Sequence, residues 1–415
     1  MAPSYLEFFF LATAAFATAD NVSPVVPNNA QIGLLHFPLA GVLTNTFETI
    51  FTATAPVFAG QGQDIYYTDV VGNIIIPQYI TSLAPTVGAT QAQAKVTANL
   101  NLQNAFPPVL TAYQDTIYNI SINSNGPANI RIPPGSGTLP DLGPVKMVAA
   151  NTAHRIFLGN VEVDVTLQDS TGKTVLGPVA VICGQQDINF VIGSVAVNST
   201  QNLPPQAPKN GFVPTFPTTP ELYESGAFRF PYQCDFGPLG PQTVDLTIQG
   251  TIGTYYRPGA KFSLTSSNSF LRIPQQLVTL AKQAYPTVQT FDTTVSKFEI
   301  TFDNATPARF NVASTPLNSN IDVTGSDNLV IPIPKNGNLV VGPITAGQNG
   351  QVIAVGVGNA TATAVLRDAS GASLLELPIT CNPPSPLELI GVPISNAQLT
   401  NKALGVMQQS FPDPS

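Results

Sequence analysis

The chain has 415 residues, enough for two or three domains, and a formal net charge of −8. Charged residues are only 10% of it while 43% is hydrophobic, a balance that excludes intrinsic disorder over most of the length and leaves a surface built mainly of Thr, Ser, Asn and Gln. The acidic balance, with no Lys or Arg before Lys95, excludes nucleic acid as a partner and disfavours anionic membrane surfaces, because both need clustered cations.

In chain order, the first feature is an apolar run over residues 8–17, followed by Ala17, Thr18 and Ala19, a small-x-small cleavage pattern before Asp20. That layout predicts a signal peptide over residues 1–19, although Glu7 stands beside the run and the preceding residues carry no Lys or Arg. The run is too short to span a bilayer and no later stretch is apolar enough, so no membrane span is expected. The polar tail, 394–415, lacks the hydrophobic end of a lipid-anchor signal. The expected location is secreted, extracellular. Five N-x-[ST] sequons, at Asn21, Asn119, Asn198, Asn304 and Asn359, are compatible with a glycoprotein, though a chain this rich in Asn, Ser and Thr carries a similar number by chance.

Strands are expected over 47–54 and 118–122, with a truncated helix over 77–84 stopped by Pro85. Val161, Val163, Val165 and Leu167 alternate with Glu162, Asp164 and Thr166, a period of two that marks a half-buried strand. Asp169 and Gly172 supply a turn, the first by capping it locally and the second by taking positive φ. Residues 175–183 return as the second arm of a hairpin. A stretch over 198–227 holds Pro204, Pro205, Pro208, Pro214, Pro217 and Pro220 and reads as a semi-rigid linker, its rival being a long loop packed across a domain interface. Beyond it, strands are expected over 243–251, 298–302 and 352–357. A helix begins at Pro274, buries Leu277, Leu280, Ala281 and Ala284 on one face and ends at Pro286.

Self-comparison links the two parts. Residues 160–172 match 359–371 and continue to Cys183 and Cys381; 121–128 match 301–308; 76–78 match 273–275; and Phe37 matches Phe236. The matches fall in one order, so an internal duplication is expected, with repeats over 31–197 and 228–393. Many short strands, Pro- and Gly-rich turns and one short helix per repeat predict an all-β protein of two tandem immunoglobulin-like β-sandwich domains.

The ordered pattern is Cys234-x-Phe236, Ile273-Pro274 opening a helix, a Pro-rich middle, and a Leu366-x-Asp368-x-x-Gly371 hairpin ending in Cys381. It resembles secreted β-sandwich domains of unknown function that recur, often in tandem, in actinobacterial exported and surface proteins. The resemblance implies a disulfide between Cys234 and Cys381, with Leu35 at the partner position of Cys183 in the first repeat. A bridge from Cys183 to Cys234 across the linker is the competing pairing. The resemblance implies fold and location but no chemistry.

No assembled catalytic set is found, so no cofactor or metal is expected. His36 sits in an apolar run and reads as a strand residue, and His154, beside Arg155, as a surface loop residue; neither has a second metal ligand at usable spacing. Glu221 with Glu224 is the nearest carboxylate pair and falls in the linker as solvated charge. Asp303 and Asp368 read as turn caps rather than calcium ligands. The expected function is that of a secreted, non-enzymatic structural, adhesive or wall- and surface-associated protein, whose partner is a cell-wall polysaccharide or a surface protein. The alternative is a secreted lectin-like protein reading carbohydrate through Tyr66 and Tyr256, and behind it a secreted hydrolase. The chain has no Trp, the usual floor of a sugar platform.

Overall fold

The computed structural model describes residues 29–40, 46–76, 78–122, 125–183, 190–199, 227–237, 240–253, 255–324, 329–383 and 387–396. The expected signal peptide, Asn21, the linker over 200–226 with Glu221 and Glu224, and the tail from 397 lie outside the described residues.

The chain is all-β. Its first half forms β1 (Asn29–Ala40), β2 (Thr46–Ala55), β3 (Phe58–Gly60), β4 (Asp64–Ile76), the one-turn α1 (Gln78–Thr81), β5 (Gln91–Gln103), β6 (Ala105–Phe106), β7 (Val109–Ser121), β8 (Ala128–Ile132), β9 (Leu142–Met147), β10 (Thr152–Gln168), β11 (Thr174–Cys183) and β12 (Val191–Asn198). The second half forms β13 (Ala227–Asp235), β14 (Pro241–Thr251), β15 (Lys261–Ile273), α2 (Gln275–Ala284), β16 (Val288–Asp303), β17 (Ala305–Thr306), β18 (Arg309–Asn311), β19 (Leu317–Asp322), β20 (Leu329–Ile333), β21 (Leu339–Ala346), β22 (Val352–Asp368), β23 (Ser373–Asn382) and β24 (Ile390–Pro393).

The ladders recur from half to half. In the first, β1 pairs β2, β2 pairs β4, and β4 pairs β8 with one end and β9 with the other. In the second, β13, β14, β15, β20 and β21 pair in the same way. The facing sheet is built on β10, which takes β5 along one edge and β12 then β11 along the other; β22 takes β16, β24 and β23 likewise. Alternate residues point inward, as in β20, where Leu329, Ile331 and Ile333 are buried and Val330 and Pro332 between them are only partly so. The buried residues of both halves make one continuous cluster.

The expected strands and hairpins are present, and the match of 160–172 with 359–371 holds in register: Val161 stands opposite Cys183, and Ala360 opposite Cys381. The match of 76–78 with 273–275 also keeps its place, since Gln78 and Gln275 each open a helix. Pro274 lies one position earlier than expected, at the N-cap, and Val278 is the most buried described side chain of α2. Tyr285 leaves helical geometry, at φ −129° and ψ 75°, because Pro286 disfavours the α region in its predecessor.

Two matches are corrected by the ladders. Residues 301–308 cover the end of β16, its turn and β17, whereas 121–128 join β7 to β8. The counterpart of Asn304 is Asn104: both have φ 58°, and each side-chain amide donates to a backbone oxygen, Val352 O at 2.8 Å and Ala149 O at 2.9 Å. Across the first sheet, Ile132, Gly72, Phe51 and Leu35 stand side by side. In the second half the same path reads Ile333, Ser269, Ile248 and Phe228. Leu35 therefore answers to Phe228 and Phe37 to Phe230, so Leu35 is not the counterpart of Cys234. The tail expected from 394 begins as part of the fold: Ile394 is buried, and Ser395 N–H donates to Tyr256 O at 2.9 Å.

Candidate functional site

Polar side chains gather at three buried places. The first is inside the first half. His154 lies in β10 in phase with Ile156, and both point into the core. It is fully buried, its Nδ1 is 2.7 Å from Gln103 O, and its Nε2 is hydrogen-bonded to the Tyr67 hydroxyl. A carbonyl only accepts, so Nδ1 carries the proton and Nε2 accepts from Tyr67. Burial pushes the imidazole pKa down to about 4 and that of the Tyr67 phenol up, which keeps both neutral and hydrogen-bonded. The expectation of a surface His154 is thus overturned. The period-two pattern of Val161 to Leu167 did not reach it, because an irregularity between Leu158 and Val161 shifts the phase, so that His154 and Ile156 point inward at even positions. The corresponding positions of the second half are Leu264 and Ile353, both buried and apolar.

The second place is the seam between halves. Arg155, next along β10, reaches Glu388 of the second half with both arms, Nε to Oε1 at 2.8 Å and Nη2 to Oε2 at 2.9 Å. Ser194 in β12 adds a hydrogen bond to Oε1 at 2.8 Å. Glu388 is buried, so each of these contacts replaces water it has lost. Beside it Phe190 meets Tyr255 edge-on, and Phe58 meets Phe230 at a centroid distance of 5.8 Å. Residues 29 and 30 of β1 pair with 229 and 228 of β13.

The third place is the closed edge of the second half. β13 pairs β23 over Gln233–Asn382, Cys234–Cys381 and Asp235–Thr380, and the two cysteines form a disulfide. The bridge implied by the resemblance is present, and the competing Cys183–Cys234 pairing is ruled out. Nearby, the Tyr232 hydroxyl donates to Gly358 O at 2.6 Å. Glu299 is held below the ordinary Glu range, since Lys297 at 3.0 Å, with Asn359 N–H and Arg309, outweighs the upward push of its burial.

The proposed ligand contacts are not brought into one platform. Tyr66 is exposed on β4. Tyr256, in the other half, is a correction: it stacks on Phe262 at 4.1 Å, its hydroxyl accepts from Gly253 N–H at 2.9 Å, and burial raises its pKa. A ring with one face covered and its hydroxyl inside cannot serve as an open stacking floor. Among the sequons, Asn119 is exposed, Asn359 is intermediate and Asn198 is buried. The Asn304 amide nitrogen donates to Val352 O at 2.8 Å.

His36 stands in β1 opposite Ile50, as a strand residue. Asp169 and Asp368 are turn caps: each Oδ1 accepts two backbone N–H bonds and one hydroxyl, from Thr171 and Lys173 or from Ser370 and Ala372. Among the described residues no three potential metal ligands come together, and no helix is long and apolar enough to cross a membrane. Two cavities of about 50 Å³ lie in the second half. Phe228, Leu264, Phe298 and Val341 line one; Leu277, Val278, Phe291 and Leu377 line the other. Comparison with family models and with curated proteins finds no match.

Proposed function

We propose that the chain is an exported, non-enzymatic structural or adhesive protein that acts at a cell surface or wall, on a scaffold of two tandem immunoglobulin-like sandwiches descended from one duplicated domain. The observation that carries this reading is the disulfide between the buried Cys234 and Cys381, since such bonds form and persist in oxidising, extracytoplasmic compartments. The duplication is supported by the recurrent ladders, by Asn104 and Asn304 at the same φ, and by the shared turn chemistry of Asp169 and Asp368. The bidentate Arg155–Glu388 contact and the continuous core hold the halves as one stiff body, which suits presentation over a surface better than independent domains would.

The test is fractionation of the producing cells. Protein recovered from the medium or envelope should begin at Asp20 or within a few residues of it, and should sediment with purified envelopes. Recovery of an intact Met1 chain with free Cys234 and Cys381 from the cytosol would refute export and the role built on it.

A further inference from the structure

The two halves differ in what lies over the second arm of the hairpin. In the second half, β13 pairs with β23 along its outer edge, and Phe236 with Leu277, Val278 and Ala281 of α2 stands over its face together with Leu375 and Leu377. In the first half, β11 pairs with β10 alone among the described residues. Residues 171–180 are all exposed. Val175, Leu176 and Val179 are 36%, 45% and 42% exposed, whereas Leu377, at the place of Val179, is 6% exposed. The strand carries no charged residue. Natural edge strands are commonly protected by charge, proline or a bulge. Here Pro178 and the bulge beside it protect only the first part of the strand, because proline has no N–H to offer a neighbour. Residues 179–183 follow in regular register with β10, with Val165 opposite Val179 and Val161 opposite Cys183.

We propose that this edge is a self-association site, where a second copy of the chain adds its own residues 179–183 in antiparallel pairing about a two-fold axis near Val181. The second half shows the geometry that such pairing completes: Thr380 and Cys381, the counterparts of Ile182 and Cys183 at the end of β11, already pair antiparallel with a neighbouring strand. In the first half the hairpin that would supply this strand is shorter. Only residues 41–45 join Ala40 to Thr46, against 234–242 between the corresponding pair, Gln233 and Thr243. A second copy brings an identical uncharged edge, so the contact is self-complementary and closes at two chains rather than growing into a fibre. Pro178 limits it to one short segment on each chain.

The experiment is sedimentation velocity on the full chain across a hundredfold range of concentration, with Cys183→Ser as background so that no intermolecular disulfide contributes. A dimer that dissociates on dilution is expected. Val179→Lys and Ala180→Lys, both at exposed positions, should weaken it at least tenfold while leaving the circular dichroism spectrum unchanged. Tyr118→Lys, at a 65% exposed site on another strand, should leave it intact. A chain that stays monomeric throughout, or a dimer that survives both β11 substitutions, overturns the proposal. So does one that also falls apart with Tyr118→Lys.

Discussion

β11 and β23 occupy corresponding places in the two halves, each as the second arm of a hairpin with β10 or β22, and meet opposite fates. β23 is covered at its edge by β13 and over its face by a ten-residue helix, while residues 174–180 of β11 are exposed and the helix of the first half has only four residues. Two lengthenings go together in the second half. A longer β13–β14 hairpin delivers Cys234 and Phe236, and a longer helix delivers Leu277, Val278 and Ala281. The first half lacks both, and its hairpin arm keeps small or β-branched residues, Val179 and Ala180, where the second has Leu377 and Pro378. The sandwich itself tolerates either arrangement, so the cover is an added layer rather than a condition for folding.

The interiors differ in a second way. The first half buries Tyr67 against His154, and the second buries Leu264 and Ile353 at those positions. A buried polar pair is tolerated only when every donor and acceptor is matched. Here the Gln103 carbonyl and the tyrosine hydroxyl match both ring nitrogens.

The comparison is broken most severely by opening the bridge. Cys234→Ala or Cys381→Ala should cost roughly 4–5 kcal/mol by the chain-entropy account of a closed loop of this length, measured by denaturant unfolding. Amide exchange should then rise along β23 toward the rate along β11, while β10 stays protected. If β23 remains as protected as before, α2 alone covers it, and the hairpin extension adds nothing but the bond.

Next comes the seam. Glu388→Ala leaves Arg155 and Ser194 without their partner in a place that has lost water, and removal of one member of such a pair costs roughly 3–5 kcal/mol. Glu388→Gln, which keeps one acceptor oxygen for Arg155 Nε and Ser194 but neither the charge nor the second acceptor, should lose less. A loss confined to one of two separate unfolding transitions would show that the halves melt independently in spite of their shared core.

The polar interior predicts an acid dependence that belongs to the first half alone. His154 is held neutral, with its pKa lowered to about 4 from 6.5. The unfolded chain takes up a proton near 6.5 that the folded chain refuses. Stability is therefore full above that pH, falls as pH drops between the two values, and levels off below about 4. The loss over the window is about 3 kcal/mol. Tyr67→Leu with His154→Ile, which copies the second half, should flatten this dependence. An unchanged slope in the double variant would place the acid sensitivity elsewhere.

Much of this was legible in the residues. Period-two alternation found the hairpin strands, and Asp169, Gly172, Asp368 and Gly371 revealed both turns, because those signals are local. The fates of β11 and β23 were not, since Val175, Leu176 and Val179 look as buriable as Leu375 and Leu377; what decides is whether a distant hairpin and helix reach them. His154 was misread because its neighbours Ala153 and Arg155 suggested a loop, and only the phase with Ile156 pointed inward. Tyr256 resembled a binding residue from its composition, but the face it offers is taken by Phe262. Arg155 with Glu388 was out of reach, since nothing local pairs residues so far apart in the chain.

The smallest expected effect is also the cleanest comparison, because it concerns the part of the halves that is most alike. Asp169 Oδ1 accepts from Thr171 N–H at 2.8 Å, Lys173 N–H at 3.0 Å and the Thr171 hydroxyl at 2.6 Å. Asp368 Oδ1 accepts from Ser370 N–H, Ala372 N–H and the Ser370 hydroxyl at the same three distances. Gly172 and Gly371 follow at φ 84° and 83°, a left-handed conformation that glycine adopts without penalty. The hydroxyl bond holds each carboxyl below the ordinary Asp range, with the backbone N–H groups acting in the same direction. Each cap therefore stabilises the fold in its ionised form and loses that contribution as acid protonates it. Both carboxylates face water, so Asp169→Ala and Asp368→Ala should each lower Tm only slightly, and by equal amounts. The equality is the informative part. The turns are identical, but the arms beyond them are bare in one half and covered in the other. If Asp169→Ala costs clearly more, the turn is what holds the uncovered β11 in register. If the two costs match, β11 is held by its ladder to β10, and its open edge is stable enough to wait for a partner.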